Sequence, residues 1–169
     1  MADERRRGFR RIDKQTDQMV RNMQQPRLIA PHLLRLDGAL PTLLGSRCSA
    51  CGEVYFPTAR GCTRCCGTQL EAFDLGHRGR LWSWTVQDFC PKPPYDGAAS
   101  EADFRPYGVG YVEMACGLKV ESRLTLADPA RLRIGMAMDL TLEAYRRDAD
   151  GTAVHTYAFQ PADDEDTPA

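Results

Sequence analysis

The chain has no apolar segment long enough to cross a membrane and no recognisable secretory leader. A membrane-spanning helix needs about 20 consecutive, mostly apolar residues, and no run among the 169 residues approaches that length. The N-terminal sequence Met-Ala-Asp-Glu-Arg-Arg-Arg contains no apolar core of the kind that signal peptides carry. These two absences predict a cytoplasmic protein that does not associate with the membrane.

The chain also lacks an excess of charge of one sign. It has 22 Lys and Arg against 23 Asp and Glu, for a net charge of −1. Proteins that bind nucleic acid through its phosphates usually need a basic excess, so the balance disfavours a nucleic-acid partner. The charged runs lie at the two ends, basic in residues 5–11 and acidic in residues 163–166, as is typical of solvated termini.

Histidine is scarce, and this argues against independent catalysis. Nucleophilic catalysis needs a thiol or hydroxyl beside an oriented base. The only histidines are His32, His77 and His155, and each stands alone without a motif around it. Cys90 and Cys116 are spare thiols, and a free cysteine is most often a small buried apolar residue. The sequence therefore predicts no catalytic residue in this chain.

Cysteine, in contrast, is abundant, and four of the seven cysteines form two Cys-x2-Cys pairs. Cys48 and Cys51 form the first pair, and Cys62 and Cys65 form the second. This spacing supplies four thiolates to one tetrahedral Zn²⁺, which prefers soft sulfur ligands. Four protein ligands leave no open position for a substrate, so the metal is expected to be structural. Cys66 follows directly and is the alternative fourth ligand, although the spacing favours Cys65.

Two other interpretations of the cysteines are weaker. Two disulfides would need an oxidising compartment, which the absence of a leader argues against. An odd number of cysteines would also leave at least one unpaired in a monomer. A redox Cys-x-x-Cys motif usually opens a helix after a buried strand, and neither pair has that context.

The first 46 residues divide into an amphipathic helix and an apolar connector. Apolar side chains recur at spacings of three and four up to Pro26, which predicts a helix over residues 1–25 that docks on a partner or on its own domain. Residues 27–47 are rich in leucine but broken by proline, and these leucines must cover either the zinc module or another subunit.

The remainder predicts a zinc ribbon at residues 47–76, a barrel at residues 77–162 and an acidic tail at residues 163–169. Short strands at residues 53–57 and 70–73 flank the cysteine pairs. Five further strands are expected from alternation and from β-branched and aromatic content: residues 80–88, 107–114, 118–125, 138–145 and 153–160. Tight turns are expected at Gly117 and Gly151, and a short helix at residues 127–132 with Asp128 as its N-cap. This element order is that of an OB-fold, with an open five-stranded sheet as the rival, so the chain is expected to be mainly β with an N-terminal helix.

A long loop, residues 89–106, separates the first two barrel strands. It is rich in proline, aromatic and charged residues. Long loops in compact domains are uncommon and are often functional. In an OB-fold this first loop often contacts the ligand.

The combination of motifs resembles the DUF35 family, in which a rubredoxin-like zinc ribbon leads into an OB-fold. The matching segments are Cys48-x-x-Cys51-Gly52, Phe56-Pro57, Cys62-x-x-Cys65, Gly76-x-x-Gly79, Trp84-Thr85-Val86, residues 106–113 and residues 132–136. They run from about residue 40 to residue 160 and so cover most of the chain. The sequence departs from the family at Cys66, where the family usually has a glycine.

The resemblance implies a non-catalytic subunit of a heteromeric thiolase that cleaves a 3-oxoacyl-CoA, and within the family it is most similar to the small subunit of a benzoylsuccinyl-CoA thiolase. On this reading a thiolase-fold subunit is the partner, and the long loop contacts that partner or the CoA ester. The contact candidates are Lys92, Tyr95, Phe104, Arg105 and Tyr107. The cations would pair with CoA phosphates, and the aromatic rings would stack on adenine or pack on the partner. Two alternatives are an accessory subunit of a steroid side-chain hydratase or aldolase, and an OB-fold module for single-stranded nucleic acid.

Overall fold

The computed structural model describes residues 26–38 and 40–163. The predicted N-terminal helix and residues 164–169 of the predicted acidic tail lie outside the described residues. Within the described ranges no helix is long and apolar enough to span a membrane.

The described residues form ten strands and two short 3-10 helices. The strands are β1 (Arg27–Leu28), β2 (Leu34–Arg35), β3 (Thr42–Cys48), β4 (Val54–Tyr55), β5 (Leu70–Gly76), β6 (Arg78–Gln87), β7 (Tyr107–Met114), β8 (Lys119–Leu124), β9 (Ala137–Arg147) and β10 (Ala153–Pro161). The 3-10 helices are Pro31–Leu33 and Glu101–Asp103.

The strands β6 to β10 close into a five-stranded barrel. β6 pairs with β7, β7 with β8, β8 with β10, β10 with β9, and β9 returns to β6. All of these pairings are antiparallel except β8 with β10, which is parallel. The closed order confirms the expected OB-fold and excludes the open sheet. β1 adds to the outside of β10 as a parallel edge strand.

The alternation of side chains in β7 and β8 explains why they face a common core. Val112 and Met114 of β7 and Val120 and Leu124 of β8 are each at most 2% exposed, whereas their sequence neighbours are more accessible. The predicted turns are also present. Gly117 and Gly151 both have positive φ, of 82° and 81°, which glycine adopts without steric cost.

The ribbon sheet joins β2, β3, β4 and β5, and its apolar face continues into the barrel core. β3 is the central strand and pairs with the other three. Leu34, Leu43 and Leu75 belong to the same buried cluster as Leu81 and Phe159 of the barrel. The dense leucines of residues 27–47 therefore cover this chain's own core in part. Ile29 and Leu40 remain about half exposed.

The helix predicted at residues 127–132 is wrong, because the chain makes only one hydrogen-bonded turn there. The Asp128 carbonyl accepts from the N–H groups of Arg131 and Leu132, and its carboxylate accepts from the Ala130 N–H at 2.9 Å. The Asp128 carboxylate therefore closes a local turn, but there is no helix here for it to cap. The turn does not continue, because Leu132 turns into the core and Gly135 at φ 84° redirects the chain into β9.

Candidate metal centre and loop cluster

Four sulfur atoms converge between the two turns of the ribbon. The Sγ atoms of Cys48, Cys51, Cys62 and Cys65 all lie within 4.8 Å of one another. The Cys48–Cys65 and Cys51–Cys62 sulfur separations are 3.6 and 3.5 Å. A tetrahedral zinc site with Zn–S bonds of about 2.3 Å places its sulfurs about 3.8 Å apart. The cluster therefore has the size and the donor set that Zn²⁺ requires.

The two cysteine pairs adopt the same turn, which explains why the sulfurs converge. The Gly52 N–H donates to the Cys48 carbonyl, and the Cys66 N–H donates to the Cys62 carbonyl, both at 2.9 Å. Gly67 leaves room beside the cluster. A Cβ at that position would lie 3.3 Å from the sulfur of Cys65 and 3.7 Å from that of Cys48.

Cys66 does not belong to the sulfur cluster. It occupies the turn position that Gly52 holds in the first pair, with φ of 58°, and its side chain is exposed. A left-handed φ is one that glycine adopts without steric cost, so this turn position favours glycine. The structure therefore brings Cys65, not Cys66, together with the other three cysteines.

Hydrogen bonding favours the thiolate form of one of these sulfurs, which is the form that binds a metal. The Tyr55 hydroxyl donates to the Cys62 sulfur at 3.1 Å and accepts from the Thr63 N–H at 2.9 Å. The Tyr55 hydroxyl, aided by the backbone N–H of Cys65, lowers the pKa of Cys62 to about 6 even though burial opposes this. Tyr55 is held in place by β4, between the two cysteine pairs.

A single site for four thiolates also needs a cation. The Gly67 N–H lowers the pKa of Cys65, but the thiols of Cys51, Cys62 and Cys48 outweigh it and raise that pKa to about 12. Negative charges this close cannot all form without compensation. A divalent metal supplies that compensation, and its binding displaces the thiol protons.

The long loop between β6 and β7 folds back on the barrel through an aromatic cluster. The ring of Tyr95 stacks on that of Tyr107, with 6.4 Å between the ring centroids. It also makes edge-to-face contacts with Phe104 and Tyr145, with centroid distances of 6.4 and 6.0 Å. Phe104 is 9% exposed, and its ring centroid lies 5.9 Å from that of Tyr107. The structure therefore brings together three of the five residues predicted to contact CoA or a partner. We call Tyr95, Phe104, Tyr107 and Tyr145 the aromatic cluster.

Arg123 of β8 lies under this cluster. Its guanidinium carbon is 3.7 Å from the ring centre of Tyr107, and two hydrogen bonds of 3.1 and 2.9 Å join it to the Glu143 carboxylate. Its Nη1 is buried without a hydrogen-bond partner among the described residues. Arg146 secures the loop from β9, with its Nε 3.2 Å from the Asp96 carboxylate.

The other two predicted contact residues are exposed on the same loop. Lys92 faces solvent. Arg105 donates through Nη1 to the carbonyls of Ala102 and Phe104, at 3.1 and 2.8 Å, so its side chain lies along its own loop. The role of all five residues in binding stays a prediction.

Neither spare thiol, Cys90 or Cys116, makes a hydrogen bond to a histidine in the described part of the chain. Cys90 donates to the Pro91 carbonyl at 3.7 Å. Across residues 26–38 and 40–163 no cysteine sulfur is hydrogen-bonded to a histidine.

Sequence reasoning did not find Tyr55, Arg123 or Tyr145. Tyr55 lies in the strand between the two cysteine pairs, and this closeness in sequence to the ligands could have identified it. Arg123 and Tyr145 come from β8 and β9, and only the closed barrel brings them to the loop. No local pattern indicates those contacts.

Comparisons with known proteins match both halves of this architecture. Residues 37–71 match the ChsH2 rubredoxin-like zinc ribbon domain, and residues 73–143 match the ChsH2 C-terminal OB-fold domain. Among solved structures, the Ltp2-ChsH2(DUF35) aldolase superposes with a TM-score of 0.53 at 23% identity, over 71% of this chain and 84% of that chain. At 23% identity, this similarity shows a shared fold and nothing about activity.

Two relatives are more similar in sequence. The benzoylsuccinyl-CoA thiolase subunit BbsA of Thauera aromatica is 30% identical over 125 residues, which cover 73% of this chain and 79% of the relative. A DUF35 domain-containing scaffold protein of Methanothermobacter thermautotrophicus is 31% identical over 121 residues, covering 70% and 86%. The chain therefore belongs to the DUF35 family of proteins that join a rubredoxin-like zinc ribbon to an OB-fold.

Proposed function

We propose that this chain is the non-catalytic subunit of a heteromeric thiolase that cleaves a 3-oxoacyl-CoA. The observation that supports this most is the similarity to BbsA, a benzoylsuccinyl-CoA thiolase subunit, over the ribbon and barrel together. The similarity to scaffold proteins of the same family points to the same kind of role. On this proposal the partner is a thiolase-fold subunit that supplies the catalytic cysteine and histidine.

The ribbon holds one structural Zn²⁺ in this proposal. Cys48, Cys51, Cys62 and Cys65 are its ligands, because their sulfurs share one space and fit tetrahedral coordination. The four thiolates repel one another, and the positive charge of the metal offsets this repulsion. Binding of the metal therefore stabilises the ribbon. The ribbon and barrel share one apolar core, so the metal also supports the position of the barrel.

The long loop is the proposed contact with the partner or with the CoA ester. Lys92 and Arg105 are exposed cations that can pair with CoA phosphates, and the exposed edges of the aromatic cluster can pack on adenine or on the partner. The guanidinium of Arg123 is buried against the ring of Tyr107, so it supports the cluster from beneath and is not itself exposed for binding. The ring contacts of Tyr95 and the Arg146–Asp96 ion pair hold the loop against the barrel beforehand, which lowers the entropic cost of binding.

The substrate class is proposed more narrowly from the relatives. Two relatives named benzoylsuccinyl-CoA thiolase subunit BbsA, from Thauera aromatica and Geobacter metallireducens, are 30% and 31% identical to this chain. We infer an aromatic 3-oxoacyl-CoA, with benzoylsuccinyl-CoA as the first substrate to assay.

The test is thiolysis by the native complex. The tagged full chain is purified from its own cells, and the co-eluting proteins are identified and assayed with 3-oxoacyl-CoA esters plus free CoA. We expect a stoichiometric thiolase-fold chain and CoA-dependent cleavage, with benzoylsuccinyl-CoA cleaved faster than acetoacetyl-CoA. Recovery of a hydratase or an aldolase instead would replace the thiolase assignment, and recovery with nucleic acid would overturn the subunit proposal.

A further inference from the structure

A second surface lies away from both the sulfur cluster and the long loop. It is a groove of about 780 Å³ between the start of β6, the segment that joins β8 to β9, and the end of β10. Four arginines line it: Arg78, Arg80, Arg131 and Arg133. We call it the arginine groove. None of the zinc-ligand candidates and none of the aromatic cluster line it.

The charge in the arginine groove is largely uncompensated. Arg78 forms two hydrogen bonds to Asp139, at 2.6 and 2.9 Å. Arg80 donates to the Gly135 carbonyl at 3.0 Å, and neither it nor Arg131 or Arg133 lies within 4 Å of a carboxylate in the described part of the chain. Asp163 is the one acidic residue among the described residues that line the groove.

Two other arginines of the barrel, in contrast, are paired with carboxylates. Arg123 and Arg146 each face a carboxylate at 2.9 and 2.6 Å, and Arg27 of the edge strand faces Asp148. Like charges that gather in one groove repel one another and favour a ligand of opposite sign. The arginine groove gathers three guanidinium groups that lie beyond 4 Å of any described carboxylate, and it therefore favours an anionic ligand.

The walls of the groove favour a polypeptide over a nucleotide. Ile134 is 64% exposed at its edge, and Leu126 and Met136 add a partly buried apolar wall. The lining residues within the described ranges include no aromatic side chain on which a base could stack. A guanidinium group binds a carboxylate through two parallel hydrogen bonds. An exposed aliphatic side chain such as that of Ile134 is buried favourably against an aliphatic side chain of a ligand.

We propose that the arginine groove docks an acidic segment of a partner protein, in which consecutive Asp or Glu residues flank an aliphatic side chain. The carboxylates pair with Arg131, Arg133 and Arg80, and the aliphatic side chain packs on Ile134. The proposal concerns the groove of this chain alone and does not depend on which enzyme the partner is.

The test uses the purified full chain and a fluorescein-labelled peptide, Gly-Glu-Glu-Leu-Asp-Glu-Gly, followed by fluorescence anisotropy. A peptide with Gln and Asn in place of the acids is the matched probe. We expect binding of the acidic peptide only, and a loss of affinity of at least about tenfold in the Arg131→Ala/Arg133→Ala variant. Ile134→Ser should weaken binding by a smaller factor. Arg60→Ala removes an exposed arginine of the ribbon and should leave binding unchanged.

Four results would overturn the proposal. The first is equal binding of the uncharged peptide, and the second is an unchanged affinity in the double arginine variant with native zinc content and thermal midpoint. The third is displacement of the peptide by inorganic diphosphate at an ionic strength where sodium chloride does not displace it, which would make the groove a phosphate site. The fourth is a gain of roughly tenfold or more when the chain is cut after Asp163, which would make its own acidic tail the resident occupant.

Discussion

Gly52 and Cys66 occupy equivalent positions in the two cysteine-bearing turns of the ribbon. Each follows the second cysteine of its pair, with φ of 75° and 58°, and each donates its N–H to the carbonyl of the first cysteine at 2.9 Å. Glycine adopts this left-handed conformation freely, whereas a residue with a Cβ does so at a cost of about 1–2 kcal/mol. The hydrogen bond of the turn therefore holds Cys66 in an unfavourable backbone conformation.

Replacement of Cys66 by glycine should stabilise the zinc-loaded protein. Relief of about 1–2 kcal/mol in the folded chain exceeds the loss of about 0.4–1 kcal/mol from greater flexibility in the unfolded chain. We expect the unfolding free energy of Cys66→Gly to rise by about 0.5–1 kcal/mol in urea titrations, with one zinc retained. Gly52→Ala should shift stability the opposite way. If Cys66→Gly loses its zinc and Cys65→Ser keeps it, the ligand assignment is wrong.

Loss of the Tyr55 hydroxyl should weaken metal binding without unfolding the barrel. The hydroxyl donates to the Cys62 sulfur and holds the Thr63 N–H, so Tyr55→Phe removes support from one ligand. Removal of such a supporting group typically costs about 10–100-fold in metal affinity. Competition with a chromophoric chelator measures this loss. Tyr111→Phe is the control, since its hydroxyl bonds to Glu121 on the surface. Equal affinities in the two variants would contradict the role of Tyr55.

The Arg78–Asp139 pair should make part of the unfolding free energy depend on pH. Arg78 donates two hydrogen bonds that hold the pKa of Asp139 below its ordinary value of 3.8. A depressed folded-state pKa adds stability that is fully present above the unfolded value and is lost as the pH falls through the folded value. Asp139→Asn should therefore flatten the decline of the unfolding free energy below about pH 4. An unchanged slope would show that the pair is not coupled to folding.

Neutral replacements at the long loop should affect substrate binding by the complex more than its chemistry. Lys92→Ala/Arg105→Ala removes two cations proposed to face CoA phosphates, so the KM for the acyl-CoA ester should rise several-fold, roughly 3–10-fold, while kcat stays unchanged. Steady-state thiolysis at varied ester concentration measures both constants. Arg60→Ala is the matched control on the ribbon. A fall in kcat with constant KM would place the loop away from the CoA site.

The barrel could be predicted from the sequence because its signals are local. Alternating side chains placed β7 at residues 107–114, as observed, and the glycine turns at Gly117 and Gly151 separated the right strands. The two-residue strands β1 and β2 could not be predicted, because they exist only through pairing with β10 and β3. The predicted helix at residues 127–132 failed because burial of Leu132 outweighed the local capping signal.

The four-cysteine cluster was predictable for the same reason, and its surroundings were not. The spacing of the cysteine pairs within one short segment fixes the turns, and the turns bring the sulfurs together. The position of Arg123 under Tyr107 depends on the register of β7 against β8, and the Tyr95–Tyr145 contact depends on closure of the barrel. Side chains that meet through long-range pairing leave no short-range pattern in the sequence.

The most direct test of the account is native mass spectrometry of the tagged full chain purified from its own cells, beside its Cys48→Ser variant. The account predicts that the wild-type assembly contains this chain, one zinc for each copy and a thiolase-fold subunit in fixed ratio, and that the variant loses both the zinc and the subunit. A wild-type chain that elutes alone, or a variant that keeps metal and partner, would contradict it.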